Sequence, residues 1–280
     1  MSHNIDISSI GKIAYLGPEG TYSQLAALEY FGSDAELLNC ASIDDVFASV
    51  ENKQVAYGIV PVENSTEGAI NNTQDCLIDS SAKIVGEQVV FIEHSLLALE
   101  HTAKSDIKKI ASHKQSLAQC RGYLSKNFPE VEQVECSSNA DAAIRAQADP
   151  GTAAIASELA GRLYGLQSLD CRIQDKSNNR TRFLVLALGD TAATGSDKTS
   201  ILVYTENKPG ALFRVLEPFE NFQLSLTKIE TRPSKKEAWE YVFFIDFEGH
   251  AEDDTTKKLF STLERGGVEV KILGSYRLSK

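Results

Sequence analysis

The 280-residue chain contains no apolar run approaching the ~18 residues that a membrane-spanning helix needs, so a transmembrane function is not expected. It also lacks CxxC pairs and Cys/His clusters at zinc spacing. Its five cysteines, Cys40, Cys76, Cys120, Cys136 and Cys171, stand singly and are odd in number, which argues against a disulfide framework or a bound metal and suits a reducing cytoplasm. The first ten residues show neither the basic nor the apolar stretch of a signal peptide. No basic cluster is present, and 28 Lys+Arg against 39 Asp+Glu give a net charge of −11. Nucleic acid and anionic membranes are therefore excluded as expected partners, because phosphate binding needs a positive surface. Small molecules or proteins remain. Low-complexity tracts and sequence repeats are absent. With 42% hydrophobic and 24% charged residues the composition is globular, and at ~150 residues per domain the length suggests two domains.

From Ile13 onward, short apolar strands alternate with amphipathic helices. Ile13–Leu16 reads as a strand, broken by Gly17-Pro18-Glu19-Gly20-Thr21 before a helix near Tyr22. Ile43, Val46, Phe47 and Val50 share one helical face, with Ser42 as N-cap and Asp45 completing a capping box. Further strands are expected at 57–62, 83–99 (one long strand or two), 109–111, 131–136, 153–156 and 183–188, with helices at 115–127 and 140–147. This alternation predicts an α/β fold with a largely parallel sheet. In such folds ligands gather where strands end and helices begin, since helix N-termini offer unpaired N–H groups to anions. Here the junctions read Gly17 to Ser23, Pro61-Val62-Glu63-Asn64-Ser65-Thr66-Glu67-Gly68, Ser112-His113-Lys114-Gln115-Ser116 and Ser137-Ser138-Asn139, all rich in neutral donors. Their convergence would form a site for a carboxylate-bearing small molecule.

Residues 189–198 are small, polar and aperiodic, as a linker should be. Beyond them the order of predicted elements is β-α-β-β-α-β, the ferredoxin-like arrangement. Residues 199–280 are close to neutral, with 12 basic and 13 acidic side chains, so the acidity sits in the first 198.

Four motifs occur in order: Leu16-Gly17-Pro18-Glu19-Gly20-Thr21-Tyr22-Ser23, Val60-Pro61-Val62-Glu63-Asn64-Ser65, Ser112-His113-Lys114-Gln115 followed by Gln119-Cys120, and Asn179-Arg180-Thr181-Arg182-Phe183. Together they resemble the bacterial prephenate dehydratase family along nearly the whole chain from residue 11. The C-terminal part resembles an ACT regulatory domain, with Pro209-Gly210-Ala211-Leu212 and Glu230-Thr231-Arg232-Pro233 as effector-binding signatures. The resemblance implies a catalytic domain over 11–190 with two lobes like a type II periplasmic binding protein and a cleft between them, a linker at 191–198, and an ACT domain over 199–280. It implies conversion of prephenate to phenylpyruvate with loss of CO2 and water, feedback by L-phenylalanine, no cofactor or metal, and a homodimer or homotetramer. Two departures stand out: Lys114 replaces the family's usual Pro and Thr231 its usual Ser. No helical extension precedes residue 11, so the chorismate mutase sometimes fused to this family is not expected.

By the same resemblance, Thr181 is the donor to the departing hydroxyl, with Asn64, Ser112 and Gln119 as further catalytic donors. Arg182, Ser65, Thr21 and Phe183 bind substrate, Arg182 through a charge-assisted carboxylate bond. L-Phe would lie against Asn207, Gly210, Ala211, Leu212, Glu230, Thr231, Arg232 and Pro233. In isolation each residue also has a plainer reading: Thr181 as a strand residue, Asn64, Ser65, Ser112, Thr21 and Ser23 as turns and caps, Gln119 as a solvated helix residue, Arg182 as an ion-pair partner. His113 is read first as a local hydrogen-bonding residue, with proton transfer as the alternative, and Glu63 as one that orients donors. With no such donor titrating between pH 6 and 9, turnover is expected to be nearly flat there. The motifs do not separate prephenate from arogenate as substrate. A non-catalytic amino-acid sensor is the reading from a different class, against which the intact Thr181-Arg182-Phe183 speaks.

Overall fold

The structure is a computed structural model that describes residues 11–205, 208–233 and 241–279. Its contacts divide the chain into two compact units, one of residues up to Thr73 with Gln88–Phe183, the other of Gln74–Glu87 with Leu184 onward.

Residues 13–187 form two sheets. In the first, β1 (Ile13–Leu16) pairs in parallel with both β2 (Leu37–Cys40) and β3 (Tyr57–Asn64). The helices α1 (Tyr22–Phe31) and α2 (Ile43–Glu51) connect them, and the capping box of Ser42 and Asp45 is present as the sequence predicts. A short β4 (Gly68–Ala69) folds back antiparallel on β3 and leads into α3 (Asn71–Asp79). The expected strand over 83–99 is two: β5 (Lys83–Phe91) belongs to the first sheet and β6 (Ser95–Ala98) to the second. Residues 92–94 are thus the passage from one sheet to the other.

In the second sheet β7 (Lys109–His113) is followed by a helical segment that breaks at Cys120 into α4 (Lys114–Gln119) and α5 (Arg121–Asn127). Then come β8 (Glu132–Cys136), α6 (Asn139–Ala148), β9 (Thr152–Ala156), α7 (Glu158–Leu163) and β10 (Gln167–Asp170). The order is β10-β6-β9-β7-β8, parallel among β9, β7 and β8 and antiparallel at β6 and β10. Leu117, Cys120, Leu124 and Phe128 fill one side of this sheet and Ala142, Ala143, Ala146 and Ala160 the other, small side chains that let α6 lie close on the strands. Finally β11 (Arg180–Ala187) joins the first sheet, whose order is β2-β1-β3-β11-β5.

The second unit contains β12 (Asp197–Thr205), α8 (Ala211–Asn221), β13 (Leu226–Pro233), β14 (Tyr241–Glu248), α9 (Asp254–Arg265) and β15 (Glu269–Arg277), an antiparallel sheet of order β13-β14-β12-β15. This is the predicted βαββαβ order. Val215 and Phe219 of α8 and Leu259 and Leu263 of α9 pack with Ile201, Val203, Ile245 and Phe247 of the sheet. Residues 74–87 pack with this unit. Lys271 donates to the carbonyls of Leu77, Ile78 and Ser80, closing the C-terminus of α3, and Lys83 donates to the carbonyl of Ile272. The Lys198 ammonium sits 2.9 Å from both carboxylate oxygens of Glu87, with both side chains buried. Gly274 is the close approach: a Cβ there would lie 2.0 Å from the carbonyl oxygen of Ile84, so only glycine fits.

Candidate active site

The cavity of the first unit, about 260 Å³, lies where its two sheets meet. It is walled by the start of α1 (Thr21, Tyr22, Ser23), the end of β3 (Asn64, Glu67), the passage between sheets (Ile92, His94), the start of α4 (His113, Gln115, Ser116, Gln119), the start of α6 (Ser137, Ser138, Asn139) and one face of β11 (Asn179, Thr181, Phe183). The strand-to-helix junctions named from sequence therefore converge. Three helix N-termini border the space, each with a capping side chain: Thr21 accepts from Gln24 N–H, His113 from Gln115 N–H and Ser138 from Asp141 N–H. No Lys or Arg lines the cavity, and its ionisable walls are His94, His113, Tyr22 and Glu67. Partial positive charge at the helix starts is what it offers an anion.

Asn64 is the hub of the wall. Its Oδ1 accepts from the backbone N–H groups of Thr66 (2.9 Å) and Glu67 (3.1 Å) and from the Thr66 hydroxyl (2.7 Å). Its Nδ2 donates to Thr181 Oγ1 at 2.8 Å and to Asn179 Oδ1 at 2.9 Å. Residues 117 and 115 positions apart are thus joined because β3 and β11 are neighbours. Thr181 is 8% exposed, and with its oxygen held by Asn64 the hydroxyl proton is available to the cavity it lines. Asn179 Nδ2 donates to Gln119 Oε1 at 3.2 Å, and that oxygen lies 2.9 Å from His94 Nε2. His94 Nδ1 is 2.9 Å from the Tyr22 hydroxyl, itself 2.6 Å from the carbonyl oxygen of Glu93.

Of the residues expected at the site, Thr181, Asn64, Gln119, Thr21 and Phe183 line the cavity. Ser112, Ser65 and Arg182 do not. Ser112 is fully buried behind it, donating to the carbonyl of Ile155 (2.6 Å), and it meets Asn139 Oδ1 (3.1 Å), which also receives Ser116 Oγ (2.9 Å). Ser65 ties the end of β3 to the start of β11: its N–H donates to the Arg180 carbonyl and its Oγ accepts from Arg180 N–H. Arg182 alternates with Thr181 and Phe183 along β11 and pairs with Glu63 at 3.0 Å, so strand periodicity carries its charge away from the cavity wall. Lys114 is exposed and outside the lining.

His94 was not named from the sequence, and neither were Asn139 and Tyr22 singled out there as functional. His94 sits in no motif and on no helix face, and only the passage between sheets brings it inward. It is 1% exposed. Burial pushes its imidazole below the ordinary histidine value, partly opposed by the hydrogen bond to Gln119. His94 is an ionisable wall group that the sequence reading of neutral donors did not include. Burial also pushes the Tyr22 phenol well up, so it stays protonated.

In the second unit Gly210 caps α8 in the left-handed region (φ +77°), which a side chain would strain, and Ala211 and Leu212 open that helix. Glu230, Thr231, Arg232 and Pro233 lie on the edge strand β13, where Glu230 pairs with Lys228 at 3.1 Å and Arg232 with Asp75 at 2.5 Å. Asn207 lies outside the described residues.

The family model for prephenate dehydratase matches residues 13–191, and that for the ACT domain matches residues 199–265. The chain belongs to the prephenate dehydratase family. A bifunctional chorismate mutase/prephenate dehydratase of Pseudomonas aeruginosa is 48% identical over 265 residues, 95% of this chain and 73% of that one. A prephenate dehydratase of Methanocaldococcus jannaschii is 38% identical over 94% of this chain and 97% of its own. Among solved structures, prephenate dehydratase from Arthrobacter aurescens in complex with L-Phe superposes with a TM-score of 0.88 at 31% identity, covering 95% of this chain and 90% of that one. In this member of the prephenate dehydratase family, no helix among the described residues is long and apolar enough to cross a membrane. Nor is any group of three or more His, Cys, Asp or Glu among them placed to hold a metal ion. None of the five cysteines is in a disulfide.

Proposed function

We propose that the chain is a lyase that converts prephenate to phenylpyruvate in L-phenylalanine biosynthesis. The observation that carries this reading is the Asn64–Thr181 contact inside a cavity with three helix N-termini and no Lys or Arg on its wall. The reaction splits the prephenate dianion into phenylpyruvate, CO2 and hydroxide. The ring C–CO2 bonding pair becomes ring π density, and the C–OH pair leaves with oxygen. Aromatisation supplies the driving force. The protein has to hold two carboxylates, align the leaving groups and stabilise the departing oxygen. Thr181 donates its hydroxyl proton to that oxygen as a hydrogen bond, since a Thr hydroxyl is too weak an acid to protonate it outright. Asn64 fixes the Thr181 oxygen and Gln119 presents its amide. Asn139 and the N–H groups at the starts of α4 and α6 receive carboxylate oxygens, and the Phe183 ring gives the forming aromatic ring an apolar wall. Ser112, Ser65 and the Arg182–Glu63 pair hold this wall in place from behind.

In the same reading residues 11–190 form the catalytic domain, 191–198 the linker and 199–280 the ACT domain, which binds L-Phe at Asn207, Gly210 to Leu212 and Glu230 to Pro233 and lowers activity. Leu212, Phe213, Ile229 and Tyr241 are exposed apolar side chains of that domain, which supports pairing with a second copy in a dimer or tetramer. Thiols outside any disulfide suit the cytoplasm. Incubating the purified protein with prephenate, with and without L-Phe, should yield phenylpyruvate at a rate that L-Phe lowers. Turnover of arogenate to phenylalanine in place of this would reassign the substrate, and L-Phe binding without turnover of either would leave a sensor.

A further inference from the structure

We propose that His94 is a positioning residue that takes up a proton when the dianionic substrate enters: its Nε2–H holds the Gln119 amide in its working orientation, and as an imidazolium it completes the hydrogen-bond chain behind Thr181. The inference rests on the reading of the cavity as a dicarboxylate site. Its starting point is independent of that reading. Two backbone N–H groups, of Thr66 and Glu67, point at one atom of the Asn64 amide, which must be the oxygen because an N–H cannot accept them. The Asn64 nitrogen is thereby turned toward Asn179 and Thr181, so the facing atom of Asn179 is its oxygen. The Asn179 nitrogen then faces Gln119, whose facing atom is its oxygen. That oxygen also lies 2.9 Å from His94 Nε2, and two acceptors cannot share a hydrogen bond without a proton, so Nε2 carries one. Each step leaves a single assignment.

The far side of the imidazole is one proton short. In the neutral ring with Nε2–H, Nδ1 is an acceptor facing the Tyr22 hydroxyl at 2.9 Å. The same hydroxyl is 2.6 Å from the Glu93 carbonyl, another acceptor. One phenolic proton serves two acceptors. Adding a proton at Nδ1 resolves this: Nδ1–H donates to the Tyr22 oxygen, and Tyr22 donates to Glu93. Burial opposes the charge, which keeps the ring neutral in the empty cavity. Two carboxylates entering a space without Lys or Arg on its wall tip the balance toward the cation.

Other ionisable groups surround the imidazole. On α1, Tyr22 is held protonated by burial, and the Cys120 thiol after α4 is pushed up to about 12, chiefly by burial. The Glu93 carboxylate is 3.1 Å from Arg172. Asp175 accepts from Gly122 N–H, and the backbone N–H of His94 is accepted by Gln174. Glu67 lies 3.5 Å from Gln119 Nε2, and His113 is the other imidazole on the wall.

The test combines kinetics with spectroscopy. In the wild type, kcat/KM should fall about tenfold per pH unit above the imidazole's pKa, with the fall carried by KM because the bound state retains its proton over a wider range. His94→Gln keeps an N–H toward Gln119 but cannot titrate, so it should lose the slope, whereas His94→Leu should raise KM at every pH. Imidazole 15N shifts of the ligand-free wild type, which need no variant to fold, should show a protonated Nε2. A bare Nε2, a wild-type kcat/KM flat from pH 6 to 9, or an undiminished slope in His94→Gln would each overturn the proposal. Absence of phenylpyruvate at any pH would instead overturn the dehydratase reading, and the 15N shifts would still decide the hydrogen-bond chain.

Discussion

Replacing Thr181 by Val tests the centre of the proposed mechanism with almost no change of shape. The substitution exchanges a hydroxyl for a methyl at a side chain 8% exposed, held at 2.8 Å by Asn64. Two costs follow. Asn64 Nδ2 keeps its bond to Asn179 but loses its second acceptor, and because Asn64 is half-buried on the cavity wall the lost hydrogen bond costs about 0.5–1.5 kcal/mol of stability. The transition state loses the one hydroxyl proposed to meet the departing oxygen. Removing such a preorganised donor typically costs ~10²–10³ in kcat, or about 2.7–4 kcal/mol. The two effects are read by different measurements: initial rates of phenylpyruvate formation give kcat and KM, and a urea or thermal melt gives stability. Thr181→Val should lose at least about a hundredfold in kcat at nearly unchanged KM. Thr181→Ser, which keeps the oxygen and loses one buried methyl worth ~0.8 kcal/mol, should retain most of the activity. A folded Thr181→Val with kcat within tenfold of wild type would remove Thr181 from the mechanism.

The other predictions concern stability and regulation. Because the folded His94 imidazole titrates below its unfolded value of about 6.5, the folded protein binds fewer protons than the unfolded chain in the window just under that value. Its contribution to stability is therefore present above pH ~6.5 and lost as the pH falls through the folded pKa, so in ligand-free protein His94→Gln should show a smaller drop in melting temperature between pH 7.5 and 5.5 than wild type. Lys198→Met leaves the buried Glu87 carboxylate without its ammonium and should cost about 3–5 kcal/mol in a denaturant melt; a loss under ~1 kcal/mol would show that the pair is solvated. Arg232 extends from β13 beside the proposed L-Phe site to Asp75 on α3, so Asp75→Asn should weaken inhibition by L-Phe by a factor within the ~5–150-fold range of allosteric coupling energies. An unchanged L-Phe titration curve would exclude that contact from the coupling.

What was legible in the sequence was local. The Ser42/Asp45 capping box, the periodicity of Ile43 to Val50 and the βαββαβ order after residue 196 depend on neighbours within a few positions, and each has one physical solution. The site was legible only as motifs at strand ends, because a sequence shows which donors cluster along the chain but not which face of a strand each one takes. Tertiary structure decided that. Alternation along β11 puts Thr181 and Phe183 on the cavity wall and sends Arg182 to Glu63, and the depth of β7 places Ser112 behind Asn139. The single long strand allowed for 83–99 divides at 92–94, where the chain changes sheets, and only that change carries His94 inward between Tyr22 and Gln119. No pattern near residue 94 announces it, since its partners are 72 and 25 positions away and its desolvation comes from elements that meet only in the folded chain. Local caps and periodicities were written in the sequence, while the directions of the protons between elements were set by packing, because a hydrogen bond's donor and acceptor are assigned by everything else each amide touches.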